Sequence, residues 1–134
     1  LEQAATITFT SGERADTGTY ADAANAFVEA QGFKPIGFNW ELLDPYAAPD
    51  EPRSAIGVIT SAFSAHMEYP SREWLGEERA GQCARDFVAM FERPKTTLLS
   101  NRMGDLWNPL TDERIEWAFV GMEDARIALL LATV

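Results

Sequence analysis

His66, the only histidine in the chain, is the residue best suited to acid–base chemistry. Imidazole titrates near neutral pH and can act as a general acid or base. Ser64, His66 and Glu68 alternate, and alternate residues of a strand lie about 7 Å apart on one face. A nucleophile and its base need a separation of about 3 Å, so this spacing does not predict a triad. His66 with Glu68 or Glu41 remains a candidate acid–base pair, and a hydrogen-bonded surface histidine is the alternative.

A second candidate site combines aromatic and acidic side chains. Trp40 precedes Glu41, and a later segment carries Asp105, Trp107 and Asn108. Aromatic faces beside carboxylates suit organic cations, because each cation–π contact contributes about 0.5–2 kcal/mol. The predicted ligand-binding residues are Trp40, Glu41, Ser64, Tyr69 and Trp107. The alternatives are that Trp40 belongs to the core and that Trp107 covers a sheet edge.

The sequence contains none of the nucleotide-binding, zinc-protease or esterase motifs. One histidine and one cysteine cannot supply the usual ligands of a structural zinc site. A site for Mg²⁺ or Ca²⁺ made of carboxylates alone is the alternative, but no EF-hand spacing is present. We therefore expect no metal and no cofactor. Cys83 falls beside Ala84 and Phe87 on a helix face that we predict to be buried. A thiol in such a position is chemically inert.

The charge of the chain restricts its partners. The 134 residues include 21 acids and 11 bases, a net charge of -10, which argues against nucleic-acid binding. Residues 1–52 hold nine acids and two bases, which predicts either a face for a basic protein or a solvated surface. No run of about 20 apolar residues suggests a membrane span. The single cysteine suits a cytoplasmic location, and the arginine and alanine content is typical of GC-rich bacterial genes.

Periodicity predicts the elements that would position these residues. Thr19 and Asp22 have capping-box spacing for a helix that ends at Gly32, and Ser71 begins a second helix that ends near Glu92. Loops are expected over 44–53 and 104–113. Strands are predicted over residues 6–10, 34–42, 54–69, 96–103, 115–121 and 126–134.

The resulting order, β-α-β-β-α-β-β-β, predicts one α+β domain over residues 1–134. It would be a two-layer sandwich in which a mostly antiparallel sheet carries two helices on one face. The first six elements match a ferredoxin-like core, and the C-terminal hairpin would extend that sheet. The uncovered face would then line a ligand cleft or pair with a second subunit in a homodimer.

Three functions follow from these features. The first is a non-enzymatic domain that binds a cationic or aromatic small molecule. The second is an acidic interaction module, such as an immunity-type protein, that neutralises a basic partner. The third is a small enzyme that uses His66 as general acid and base.

Overall fold

The computed structural model describes residues 5–15, 18–103 and 106–134, with only the backbone of Met103. Its helices are α1 (Tyr20–Ala30), α2 (Ala55–Ser64) and α3 (Glu77–Ala89). Its strands are β1 (Thr6–Glu13), β2 (Glu41–Leu43), β3 (Thr97–Ser100), β4 (Arg102–Met103), β5 (Leu106–Trp107), β6 (Glu116–Met122) and β7 (Arg126–Thr133).

Five of these strands form one antiparallel sheet in the order β1-β7-β6-β3-β2, and β4 pairs with β5 separately. The predicted α+β class and its mostly antiparallel sheet are confirmed. The C-terminal hairpin is present as β6 and β7. It lies in the middle of the sheet, however, and does not extend an edge of a ferredoxin-like core.

The predicted strand over residues 54–69 is wrong, because most of this segment is helix α2. Its β-branched residues favoured a strand. Its buried residues nevertheless recur at i, i+4, i+7 and i+8, which is one face of a helix: Ala55, Ile59, Ala62 and Phe63. The Ser54 hydroxyl caps the helix by accepting a hydrogen bond from the Gly57 N–H at 3.0 Å. Helical packing therefore overrides β-propensity here.

The predicted strand over residues 34–42 is also largely absent, since β2 begins only at Glu41. Gly37 has a φ of 63°, in the left-handed region that a strand does not use. Ile36 and Trp40 are buried, whereas Phe38 is 86% exposed. These residues therefore do not share one face of a strand.

Helix α3 begins later than predicted. Its N-cap is Gly76, with a φ of 81°, and not Ser71. The helix face predicted to be buried is confirmed at Ala84 and Phe87, and Ala80 is buried beside them. Cys83 is partly exposed and so is not enclosed as predicted.

The three helices cover both faces of the sheet, which corrects the prediction that two helices lie on one face. Helix α1 packs with Leu129 and Leu131 of β7 in one core cluster. Helices α2 and α3 pack with Leu130 and Ala132 in the other. A central strand covered on both faces is continuously apolar, as β7 is from Ile127 to Ala132. No helix in the described ranges is both long and apolar enough to cross a membrane.

Glu123 closes the turn between β6 and β7. Its Oε1 accepts a hydrogen bond from Nε of Arg126 at 2.8 Å, and its Oε2 accepts one from the backbone N–H of Glu92. The hydrogen bond from Arg126, followed by that from Glu92, lowers the pKa of Glu123 below its ordinary value. The folded protein therefore favours the ionised carboxylate.

We expect Glu123→Gln to lower the free energy of unfolding at neutral pH, by an amount that shrinks in acid. A lowered folded-state pKa adds stability that is fully present above the unfolded value of about 4.3 and is lost as pH falls through the folded value. Urea unfolding at neutral pH and at several values below about pH 4 measures this effect. Glu113→Gln, at an exposed acid, is the control. A difference that stays constant with pH would contradict the prediction.

Candidate functional site

An apolar groove of about 570 Å³ lies between β1 and α3. Ile7 and Phe9 of β1 and Leu130 of β7 form one wall. The other wall is a single face of α3, because its residues follow helical spacing: Arg79, Gln82, Cys83, Asp86, Phe87 and Met90. We refer to this surface as the β1–α3 groove.

Strand pairing places the aromatic wall of the β1–α3 groove. Phe9 lies opposite Leu130 in the β1–β7 ladder, so both side chains point to the face that carries α3. The Phe9 ring meets Phe87 edge to face, with 6.3 Å between centroids. Phe9 is still 50% exposed. An apolar ligand could therefore remove more of this ring from water.

Three polar residues that line the groove are exposed: Arg79, Gln82 and Asp86. Nε2 of Gln82 donates to Oδ1 of Asp86 at 2.7 Å, and Arg79 supplies a positive charge. Burial, and to a lesser degree the charge of Asp86, raise the pKa of the Cys83 thiol. The thiol is therefore a weak nucleophile. Because the chain has no other cysteine, the rate at which a thiol reagent labels the protein measures access to this groove.

We expect Asp86→Asn to accelerate the reaction of Cys83 with a thiol reagent a few-fold at constant pH. Removing the carboxylate lowers the pKa of Cys83 and raises its thiolate fraction, while burial, the larger cause, remains. Stopped-flow labelling across a pH series measures the shift. Glu78→Gln, more than two turns from Asp86 near the start of α3, serves as the control. An unchanged pH profile would show that Asp86 does not act on the thiol.

His66 is held in a turn directly after α2. Its Nδ1 accepts hydrogen bonds from the backbone N–H groups of Glu68 and Tyr69, both at 3.2 Å. A neutral imidazole that accepts at Nδ1 carries its proton on Nε2. That nitrogen is buried without a hydrogen-bond partner among the described residues. His66 thus has a structural role in this turn, and its catalytic role stays a prediction.

Glu68 and Tyr69 lie close to His66, but Arg114 competes with the histidine for the Glu68 carboxylate. Arg114 forms an ion pair with Glu68, which ties up the carboxylate proposed as partner of the histidine. A hydrogen bond to Glu68, together with its charge, raises the pKa of Tyr69. Ser64 does not share a strand face with His66, because it ends α2 and donates its hydroxyl to Thr60 O at 2.6 Å.

Trp40 and Glu41 differ in burial: Trp40 is buried, whereas Glu41 is partly exposed. Trp40 is 6% exposed and belongs to the core cluster of α1. Its Nε1 donates to Oδ1 of Asn25 at 2.9 Å. Glu41 lies in β2 and pairs with Arg53 at 3.5 Å. In this arrangement Trp40 contributes packing, which is the alternative that its apolar neighbours indicated.

Trp107 already contacts a cation of its own chain. The guanidinium carbon of Arg102 lies 5.1 Å from the ring centre of Trp107 and 4.3 Å from that of Trp117. Nε1 of Trp117 donates to Oγ of Ser100 at 3.1 Å. A ligand cation on Trp107 would compete with Arg102, so ligand binding there stays a prediction. Asp105, assigned to the same site, lies outside the described residues.

The β1–α3 groove is lined by none of the seven residues selected from the sequence: His66, Glu68, Trp40, Glu41, Ser64, Tyr69 and Trp107. The sequence did carry one signal for it, since Cys83 and Phe87 were placed on a single helix face. No sequence rule predicted that β1 would lie beside that face. Comparisons of the chain with protein-family models, with curated proteins and with solved structures gave no significant match.

Proposed function

We propose that this protein is a binding domain for a small molecule with an aromatic body, held in the β1–α3 groove. The observation that carries the proposal is the half-exposed Phe9 in a mostly apolar groove of about 570 Å³. Ligand pockets of about 300–1,000 Å³ with mostly apolar walls and a few polar groups are typical for small molecules. A positively charged group on the ligand would lie near Asp86, so the proposal extends to aromatic ligands that are cations.

Thermal unfolding against neutral aromatics, aromatic amines and aromatic acids tests this function. A ligand at about 100 times its Kd stabilises the folded state by about 2.7 kcal/mol, which raises the Tm by several degrees. We expect the aromatic amines and neutral aromatics to give the largest shifts. A panel without any shift would contradict the proposal.

Phe9→Ser is expected to weaken a ligand found in this way roughly tenfold, because an aromatic contact contributes about 1.5 kcal/mol. Phe38→Ser is the matched control, since it removes an even more exposed phenylalanine that does not line the groove. Isothermal titration of both variants measures the difference. Equal losses would assign binding to exposed aromatic surface in general.

Cys83 supplies an independent readout that needs no variant. A ligand in the β1–α3 groove covers the thiol and slows its reaction with a maleimide. Labelling rates with and without ligand measure this protection. A ligand that stabilises the protein yet leaves the rate unchanged binds elsewhere.

The edge position of β1 favours a second candidate, a protein-interaction module. This eight-residue strand pairs with β7 on one side and, within the described ranges, with no strand on the other. Such an edge can accept a further strand from a partner. The excess of acids in residues 1–52 points to a basic partner. Binding of an extended basic peptide that fails as salt is raised would support this function, and no binding at low salt would contradict it.

A further inference from the structure

A second pocket, of about 370 Å³, lies against a different face of α3. Pro45 and Tyr46, from the loop before α2, form one side, and Ile56 of α2 lies next to them. Arg85 and Val88 come from α3. Phe91 and Arg93 follow α3 in the chain and also line the pocket. The pocket therefore combines two guanidinium groups with an apolar interior.

The contacts given for the two arginines are with uncharged groups. Nη2 of Arg85 donates to Oε1 of Gln82 at 3.1 Å, and the guanidinium of Arg93 lies 4.1 Å from the ring centre of Tyr46. Within the part of the chain that the structure describes, neither forms an ion pair with an acid. Other basic residues do form such pairs: Lys34, Arg53, Lys95, Arg114 and Arg126.

This pairing pattern is informative because acids outnumber bases by 21 to 11. Two neighbouring arginines without an acid leave a local positive charge in an acidic protein. Guanidinium groups bind carboxylate and phosphate oxygens through paired N–H donors. Both arginines are exposed, so an incoming anion can reach them. The Tyr46 ring supports Arg93 on one face and limits the positions that its guanidinium adopts.

We propose that this pocket binds an organic oxyanion. A carboxylate or phosphate group pairs with Arg85 and Arg93, and the apolar body of the ligand contacts Val88 and Phe91. This site is separate from the β1–α3 groove, because the two surfaces share no lining residue. The headgroup supplies charge recognition, and the apolar interior selects anions that carry a hydrophobic substituent.

Benzoate and phenyl phosphate are the probes, and inorganic phosphate tests the headgroup alone. Each probe is titrated into the full chain, and binding is followed by ¹H–¹⁵N NMR. Binding is expected to shift the amide signals of Val88, Ala89 and Phe91. Comparing the affinities of benzoate and phenyl phosphate shows whether the pocket prefers a carboxylate or a phosphate group. Inorganic phosphate is expected to bind at least roughly tenfold more weakly than phenyl phosphate, since it lacks the apolar body. Equal binding of the two phosphates would overturn the apolar half of the proposal.

Arg85→Gln and Arg93→Gln are each expected to weaken binding of the preferred probe roughly tenfold or more. Arg79→Gln is the matched control, because it removes the same charge from α3 without touching this pocket. Phe9→Ser is expected to leave binding unchanged, which separates this site from the proposed function. An equal loss in Arg79→Gln, or no binding of any probe at millimolar concentration, would overturn the proposal. Arg85→Lys, expected to bind with intermediate affinity, checks that a loss in Arg85→Gln does not reflect misfolding.

Discussion

Glu116→Ala is expected to lower the free energy of unfolding by about 3–5 kcal/mol, through the loss of acceptors for several buried donors. Glu116 is fully buried at the start of β6. Its Oε2 accepts from Nδ2 of Asn101 at 2.9 Å and from the N–H of Leu110 at 2.8 Å. Its Oε1 accepts from the N–H and the hydroxyl of Thr111, at 2.9 and 2.7 Å.

The size of this effect depends on the hydrogen-bond donors that alanine would leave without an acceptor. Each buried donor without an acceptor costs about 1–3 kcal/mol, and the two Thr111 donors are only partly buried. The carboxylate also ties residues 110–111 to β6, so its loss frees the segment that follows β5. Asn101 shares the network, because its Oδ1 accepts from the N–H of Ala118 at 2.8 Å.

Urea unfolding of Glu116→Ala, Glu116→Gln and the exposed control Glu113→Gln measures the effect. Glu116→Gln is expected to lose about 2–3 kcal/mol, since its amide group keeps one acceptor oxygen but turns an NH₂ group toward existing donors. Glu113→Gln is expected to change stability by less than about 0.5 kcal/mol. A Glu116→Ala protein as stable as the control would show that the buried network contributes little.

Gly57→Ala is expected to destabilise the protein by about 3 kcal/mol, at the upper end for overpacking. A Cβ on Gly57 would overlap the backbone carbonyl oxygen of Pro49. Backbone atoms cannot rotate away as a side chain can. The loop is also fixed at this point, since the Ser54 hydroxyl donates to the Ala47 carbonyl at 3.1 Å.

Gly81→Ala is the matched control, because it makes the same change in another helix. A Cβ there would lie 3.2 Å from Nη1 of Arg85, the end of a flexible side chain that can move. Alanine favours a helix interior over glycine by about 1 kcal/mol, so this variant is expected to be equally or more stable. Thermal unfolding followed by circular dichroism compares the two. Similar Tm values would contradict the close approach of the loop to α2.

The features that the sequence predicted correctly depend on neighbouring residues. The capping box of α1 is one example, with Thr19 and Asp22 bonded to each other's backbone N–H groups at 3.1 and 3.3 Å. The β6–β7 hairpin is another, because two apolar runs are joined by a short polar turn. Caps and tight turns act over a few residues, so composition and spacing are sufficient to identify them.

The segment over residues 54–69 shows where local reasoning fails. Its β-branched residues favour a strand, while the spacing of Ala55, Ile59 and Phe63 favours a helix. The decision depends on α3, against which α2 packs, and the sequence does not show that partner in advance. Burial of one helical face contributes more than the β-propensity of individual residues.

The sequence by itself determined the α+β class, the hairpin at the C-terminus and the first helix with its cap. Only the tertiary structure decided that helices cover both faces of the sheet and that β1 lies beside α3. The β1–α3 groove joins Phe9 to Phe87 and Leu130, and the buried network joins Glu116 to Asn101. Such contacts depend on which strands pair and in which register. Pairing is set by burial of the whole sheet, and residues far apart in the chain carry no local pattern for it.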